Sequence, residues 1–477
     1  MLTTLADGAY AMSRRRRTSG YGAACGDNLN SQIVRGKMRL NGHTLSTSGA
    51  LLTTLLAFSV PSAAQAPPPV LTTLYTFTGG VDGSSPSDLV EGPNGVLYGT
   101  SADGGQLLTG TVFSLTPPAT AGGSWTKTVL YSWSPDEASS PSGVVIGRHG
   151  AFYGTTGGGG VWRKGTVYRV NPPSSAGGKW TKTVLHNFGA TANDGTSPSG
   201  LAVGRDGVLY GTTSGGGTSG NGTVFSLSPP EAAGDAWTEE VLYSFMGSPT
   251  DGSQPLGGVV IGDSGVLYGT TNTGGAPGAS GCDCTGTIFS LAPPSISGGM
   301  WTETMLYSAS VGGFANGFNY VSGVVIGAGG ALYGVAPYGG IYCNVVSVAG
   351  CGVIYELLPP ENPGGAWTNV ALHAFIAGDD AINPKTALAI SPNGTLYGTS
   401  YNGGSWGTGV VYAEKPPASP GSAGTEEVLQ SFEYGSPSGS SLSTPVTVGR
   451  SGLIYGTTTY GGVPGPFGYG TIFSLVP

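Results

Sequence analysis

Charge is scarce in this chain. Asp, Glu, Lys and Arg together make up 9% of its 477 residues. Seven of the 18 Lys+Arg lie within residues 1–66, with only two of the 26 Asp+Glu, so residues 67–477 hold 11 basic and 24 acidic side chains, a net of −13. Nucleic-acid binding needs a basic face to neutralise phosphates, and none can be assembled here. Anionic membrane surfaces are disfavoured for the same reason. Helical apolar spacing sustained over three turns is absent, which argues against a helical domain. Also missing are a Gly-x-Ser-x-Gly elbow in a strand–turn–helix setting, a His-Glu-x-x-His pair and a phosphate loop. Beyond residue 66 there are three histidines: His149 in a turn, and His186 and His373 at positions that hold Tyr in other repeats. That substitution reads as structural. No metal site and no cofactor is expected.

Residues 1–66 stand apart from the rest. Four arginines occupy positions 14–17. After Met38 and Arg39 come the apolar run Ala50–Val60 and Ala64-Gln65-Ala66. This order gives a charged n-region, an h-region and a small-x-small cleavage site, so a signal peptide cleaved after Ala66 is expected, with Met38 a candidate start. The apolar run is shorter than the roughly 20 residues a membrane-spanning helix requires. The mature chain is therefore expected to be residues 67–477, without a membrane span, secreted, periplasmic or at the cell surface, and monomeric.

What the chain has in abundance is glycine, 88 residues, arranged periodically. Leu-Tyr-Gly-Thr or a close variant recurs seven times, with its tyrosine at 98, 153, 210, 268, 333, 397 and 455. A fixed period of this size marks a repeat architecture in which each unit buries its apolar face against its neighbours. The unit from Ser199 to Phe245 shows four short β-rich runs: Leu201–Gly204, Val208–Thr213, Gly222–Leu227 and Trp237–Phe245. Turn pairs such as Asn94-Gly95, His149-Gly150, Asp206-Gly207 and Asn393-Gly394 join the first two runs, and positive φ there predicts type I′ hairpins. Pro-Pro pairs end the third run, because proline cannot donate to a ladder. Trp125, Trp180, Trp237, Trp301 and Trp367 open the fourth; Gly424 stands at the equivalent place in the next unit.

Four antiparallel strands per repeat predict an all-β, seven-bladed β-propeller as a single domain. The last repeat ends after its third strand, whereas residues 70–77 match a fourth, so the N-terminal strand is expected to complete the last blade and close the ring. The first strands would line the channel and the Trp-bearing strands would be outermost. A β-solenoid is the alternative, though its coils are shorter, about 30 residues or fewer.

The combination of Leu-Tyr-Gly-Thr-Thr, a following Gly-Gly and Gly-Thr-Val-Phe-Ser-Leu resembles the GloVer repeat of bacterial "choice-of-anchor" tandem-repeat proteins. The resemblance covers residues 70–477. It implies an extracellular β-repeat protein and supplies no catalytic residues to carry over. No sorting motif or hydrophobic tail follows the last strand at Val476-Pro477, which favours free secretion over anchoring.

Antiparallel blades place the second-to-third and fourth-to-first loops on one face. These loops vary most and carry aromatics, so Trp162, Phe318, Tyr320, Tyr338, Tyr342, Trp406, Phe467 and Tyr469 are the candidate binding residues, for a carbohydrate or protein ligand. Covering the blade ends is the plainer role for these rings. The repeated motif tyrosines read as packing, with hydroxyls finding partners between blades. Asp82, Asp194 and Asp251, each before a glycine, read as turn formers rather than calcium ligands. Cys282, Cys284, Cys343 and Cys351 are an even count that in an exported protein favours disulfides, of open connectivity. Their spacing is not a standard zinc pattern. The expected function is a secreted binding or structural module. The alternative is an extracellular polysaccharide hydrolase or lyase, which would show clustered carboxylates with a His or Arg.

Overall fold

The computed structural model describes residues 68–477 except 135–137, 176, 233–234, 277–284, 297, 310–315, 341–349, 418–421 and 463–467. Among the described residues, seven four-stranded antiparallel sheets follow one another along the chain. Blade 1 comprises Ser84–Glu91, Leu97–Asp103, Thr111–Thr116 and Thr126–Ser132. Blade 2 runs from Ala138 to Asn187, blade 3 from Gly195 to Ser244, blade 4 from Val260 to Ser308, blade 5 from Val325 to Ala374 and blade 6 from Ala389 to Ser431. Blade 7 combines Thr447–Val448, Ile454–Thr458 and Thr471–Val476 with Val70–Thr76 as its fourth strand. Val70 opposes Val476 and Thr76 opposes Thr471. The ring closes on its other side as well. Arg450 N–H donates to Glu91 Oε2 at 2.7 Å, and its guanidinium donates to Gly92 O at 2.9 Å.

Each letter of the repeated motif has a physical task. The leucine is core: Leu97, Leu209, Leu267, Leu332 and Leu396 are fully buried. The tyrosine ring meets the tryptophan of the next blade. Tyr455–Trp125, Tyr153–Trp237, Tyr210–Trp301 and Tyr268–Trp367 pack edge to face with centroids 5.8 to 6.4 Å apart. Such pairs contribute about 0.5–1.5 kcal/mol beyond their burial. The glycine seats a third-strand aromatic of its own blade. A Cβ on Gly99, Gly211 or Gly269 would come under 3.0 Å from the ring of Phe113, Phe225 or Phe289, its cross-strand partner.

The first threonine bonds the next blade. Its hydroxyl donates to a carbonyl in or just before the next first strand in the pairs Thr100–Ser142 (3.0 Å), Thr212–Gly257 (2.8 Å), Thr270–Ser322 (2.6 Å) and Thr399–Thr444 (2.8 Å). Thr457 does the same toward Pro86 at 3.4 Å, carrying the series across the closure. In blade 5 the position is Val335, which cannot donate. The second threonine pairs with a third-strand hydroxyl, as in Thr213–Thr223 at 2.8 Å.

A second aromatic series joins the blades further out. The residue just after a fourth strand packs on the third-strand ring of the following blade in six places: Phe77 on Phe113, Trp133 on Tyr168, Phe188 on Phe225, Phe245 on Phe289, Phe375 on Tyr412 and Phe432 on Phe473. Blade 4 has Ala309 there.

The hairpin turns divide into two kinds. Asn94 and Gly95 both have positive φ (58° and 73°), as a type I′ turn requires, and so do His149 and Gly150. At 206–207 and 393–394 only the glycine is left-handed (82° and 86°), so type I′ does not hold there. At the second of these, Asn393 Oδ1 instead accepts the Thr395 N–H at 3.1 Å, an Asn-centred turn.

Candidate functional site

The loops between second and third strands and between fourth and first strands gather on one face, because successive strands of each blade run antiparallel. This face carries most of the large apolar side chains that remain in solvent. Trp406 is 58% exposed, Trp162 53% and Tyr469 45%, and Tyr401, Tyr460, Leu107 and Leu108 are exposed beside them. The opposite face offers tight turns and the Pro-Pro loops, and its exposed large hydrophobics among the described residues include Ile296, Met300, Val70 and Val476. Tyr469 is held by backbone: its ring lies on Gly79, and its carbonyl accepts the Ser85 N–H at 3.0 Å.

Two of the eight aromatics expected on this face are not available to a ligand. Tyr320 is fully buried and Phe318 is 8% exposed. The cause is Ala309. It leaves a hole over Tyr355, and Tyr320 from the following segment fills it, packing on Tyr355 edge to face at 5.1 Å. Phe318 then stacks on the half-buried Tyr338 at 5.5 Å, and its N–H donates to the Tyr338 carbonyl. Tyr342 and Phe467 lie outside the described residues, as do Cys282, Cys284 and Cys343. Cys351 is buried and disulfide-bonded.

Ionisable groups gather instead where adjacent blades meet beneath this face. The aspartate before a first strand faces the Tyr or His of the preceding fourth strand. Asp251 takes Tyr243 Oη at 2.9 Å and the Met246 N–H at 2.7 Å, and Asp82 takes Tyr75 Oη at 3.0 Å. His373 Nε2 lies 3.2 Å from Asp380 Oδ2, and His186 Nε2 lies 3.6 Å from Asp194 Oδ1. The two histidines thus replace packed tyrosines, as their sequence positions imply. A third member comes from the next blade's fourth strand: Lys127, Glu239, Glu303 or Glu426.

Burial, then Asp82, push the Tyr75 hydroxyl up to about 12, and burial pulls Lys127 down to about 8. Lys127 Nζ sits 4.7 Å from the centre of the Phe113 ring. Burial and then Asp251 push Glu303 up to about 7. A carboxyl raised in the folded state favours protonation there, so its contribution to stability falls as pH climbs from about 4.5 to 7. Glu303→Gln should flatten that part of the urea-stability profile and gain about 1–2 kcal/mol at pH 8 with no gain at pH 4, allowing for partial solvent screening. An unchanged slope would refute the assignment.

The junction of blades 5 and 6 is unlike the others. Glu414 replaces the third-strand leucine of other blades (valine in blade 2), is fully buried, and has neither carboxylate oxygen hydrogen-bonded. Burial pushes Glu414 and Glu426 up to about 7. Burial pulls His373 down, but Asp380, Glu426 and Glu414 together outweigh it and raise it. An open cleft of about 620 Å³ is lined by His373, Asp379, Asp380 and Glu426. The sequence singled out each histidine and Asp194 separately, not as members of one cluster. The signal for the clusters was a His in the tyrosine column with a Glu two residues after the next tryptophan position.

The sequence matches the Gloeobacter/Verrucomicrobia repeat family over residues 56–282, 181–359 and 278–477. The chain belongs to this family, as a seven-bladed β-propeller. No curated protein matches it. Solved structures similar to it include the polysaccharide lyase Uly1, at 11% identity over 82% of this chain and 89% of that one (TM-score 0.47). Another is the PQQ-bound aldose sugar dehydrogenase of Streptomyces coelicolor, at 14% identity over 86% and 100% (TM-score 0.39). Likeness of this extent assigns neither activity nor ligand. Among the described residues, no helix is long and apolar enough to cross a membrane.

Proposed function

We propose that the chain is an exported propeller that binds an uncharged carbohydrate through its variable-loop face. The observation that carries this reading is the concentration of exposed rings on that face, above all Trp162 and Trp406. Planar aromatics with few charges suit sugar faces, and variable loops on a rigid scaffold are where binding residues collect. Export rests on the n-, h- and cleavage-region order of residues 38–66. The test is a glycan array with residues 67–477, followed by calorimetry on any hit. Trp162→Ala and Trp406→Ala together should weaken binding by about tenfold or more while leaving the melting temperature unchanged, since exposed anchors act on affinity rather than on the core. Equal affinity in the double variant would overturn the assignment.

The hydrolase or lyase reading is favoured by one feature, the cleft at the blade 5–6 junction. Incubation with neutral and acidic polysaccharides decides it: new reducing ends or unsaturated products, lost in Asp380→Asn, would replace the binding reading.

A further inference from the structure

We propose that the junction of blades 2 and 3 is a binding site for a divalent transition-metal cation, with His186 Nε2, Asp194 Oδ1 and Glu239 Oε1 as its three protein ligands. One ligand atom from each of the three side chains lies within 4.8 Å of the others. Each is buried and none has a hydrogen-bond partner within 3.5 Å, His186 Nε2 and Asp194 Oδ1 facing each other as an ion pair at 3.6 Å. Buried polar atoms are nearly always satisfied, so three unsatisfied atoms converging on one point mark a missing partner. Asp194 is only 6% exposed, and its free oxygen faces the imidazole.

The junction of blades 3 and 4 provides the contrast. There both oxygens of the equivalent aspartate are used: Asp251 Oδ2 by Tyr243 and Met246, Oδ1 by the Gly252 N–H at 2.6 Å. With His186 in place of the tyrosine, the hydroxyl donor is gone and a ring nitrogen stands in its place, facing Asp194 Oδ1, which here takes no backbone N–H. The remaining oxygen, Oδ2, is fixed by the Gly189 and Ala190 N–H groups at 2.7 and 3.0 Å, the outer support that orients a ligating carboxylate. The His186 ring is set edge to face on Phe188 at 4.6 Å. One imidazole and two carboxylates form a donor set used by zinc and neighbouring divalent metals, leaving a fourth position for water or a ligand. His373, Asp380 and Glu426 repeat the triad between blades 5 and 6, but there His373 Nε2 is already within hydrogen-bond distance of Asp380.

The experiment titrates EDTA-stripped residues 67–477 with Zn²⁺ alone, by calorimetry, and counts retained metal by mass spectrometry. His373→Tyr isolates the blade 2–3 site. Tyrosine is the natural residue at this column in blades 1, 3, 4 and 7, so the fold should survive, and near-ultraviolet circular dichroism verifies it. His373→Tyr should bind one equivalent, and adding His186→Tyr should abolish it. In the His373→Tyr background, Glu239→Gln should weaken Zn²⁺ binding by about tenfold or more, the scale on which ligand-shell changes act. If His373→Tyr retains no more zinc than the double variant, the proposal is wrong.

Discussion

Removal of residues 70–77 is expected to abolish cooperative folding, the largest effect of any short deletion in this protein. A chain starting at Thr78 keeps all seven motif copies, yet blade 7 loses its outer strand. The third strand, Thr471–Val476, becomes an open edge, and the core beneath it loses Phe77, which is fully buried against Phe113 at 5.6 Å. Leu71, Leu74 and Tyr75 leave with it, and Asp82 loses the Tyr75 hydroxyl. Phe77, fully buried, contributes about 1.5–3 kcal/mol and the three half-buried side chains a part of that each, so the four together amount to roughly 5 kcal/mol, comparable to the whole stability of many domains. Near-ultraviolet circular dichroism and urea unfolding would read the loss. A truncated chain that unfolds at the same urea midpoint would show that the ring does not depend on its N-terminal strand.

The second large effect is a gain, and it is conditional. Glu414 occupies a leucine column and Gly424 a tryptophan column, and the two departures are one packing event: a Cβ on Gly424 would overlap Glu414 Oε1. The carboxylate lies where the tryptophan would have stood, and both its oxygens are unsatisfied. Gly424→Trp alone should therefore destabilise the fold by about 3 kcal/mol or more, by overpacking and by trapping the charge. Glu414→Leu alone should stabilise it by about 1–3 kcal/mol, because an apolar side chain replaces an unpaired buried carboxyl. With Glu414→Leu in place, Gly424→Trp should change sign and become neutral or stabilising, its ring free to meet Tyr333 as Trp367 meets Tyr268. The double-mutant cycle, read by urea unfolding at pH 7, carries the coupling. Additive effects would mean that the two positions are independent.

Most of the architecture could be read in the sequence because each structural task is assigned to one repeated letter. Seven Leu-Tyr-Gly-Thr copies mean seven second strands, and a fourth-strand pattern at residues 70–77 with none after residue 475 means a shared blade. The errors fall where one repeat lends a residue to another. Tyr320 reads as an exposed loop aromatic until one sees that Ala309 has left a hole for it, a compensation across 11 positions that no local pattern exposes. Asp206-Gly207 reads as type I′ because the dipeptide permits that turn, but permission is not selection. Partners for the motif tyrosines were expected at their hydroxyls, yet the contact made across blades is ring on tryptophan. Among these tyrosines, Tyr333 donates to Glu356 at 2.7 Å, within its own blade. The charged junctions were legible only column by column, since His186, Asp194 and Glu239 belong to two repeats and the connection between them.

A cross-link between the chain ends tests the ring most directly. Val70 and Val476 are cross-strand partners, 55% and 49% exposed, so cysteines there should cost little. In the Val70→Cys/Val476→Cys variant, mild oxidation should join residues 70 and 476 within one chain, identified by peptide mass mapping, and raise the melting temperature. If the two cysteines stay reduced, or pair only between chains, the termini do not share a blade and the closed seven-bladed ring is wrong.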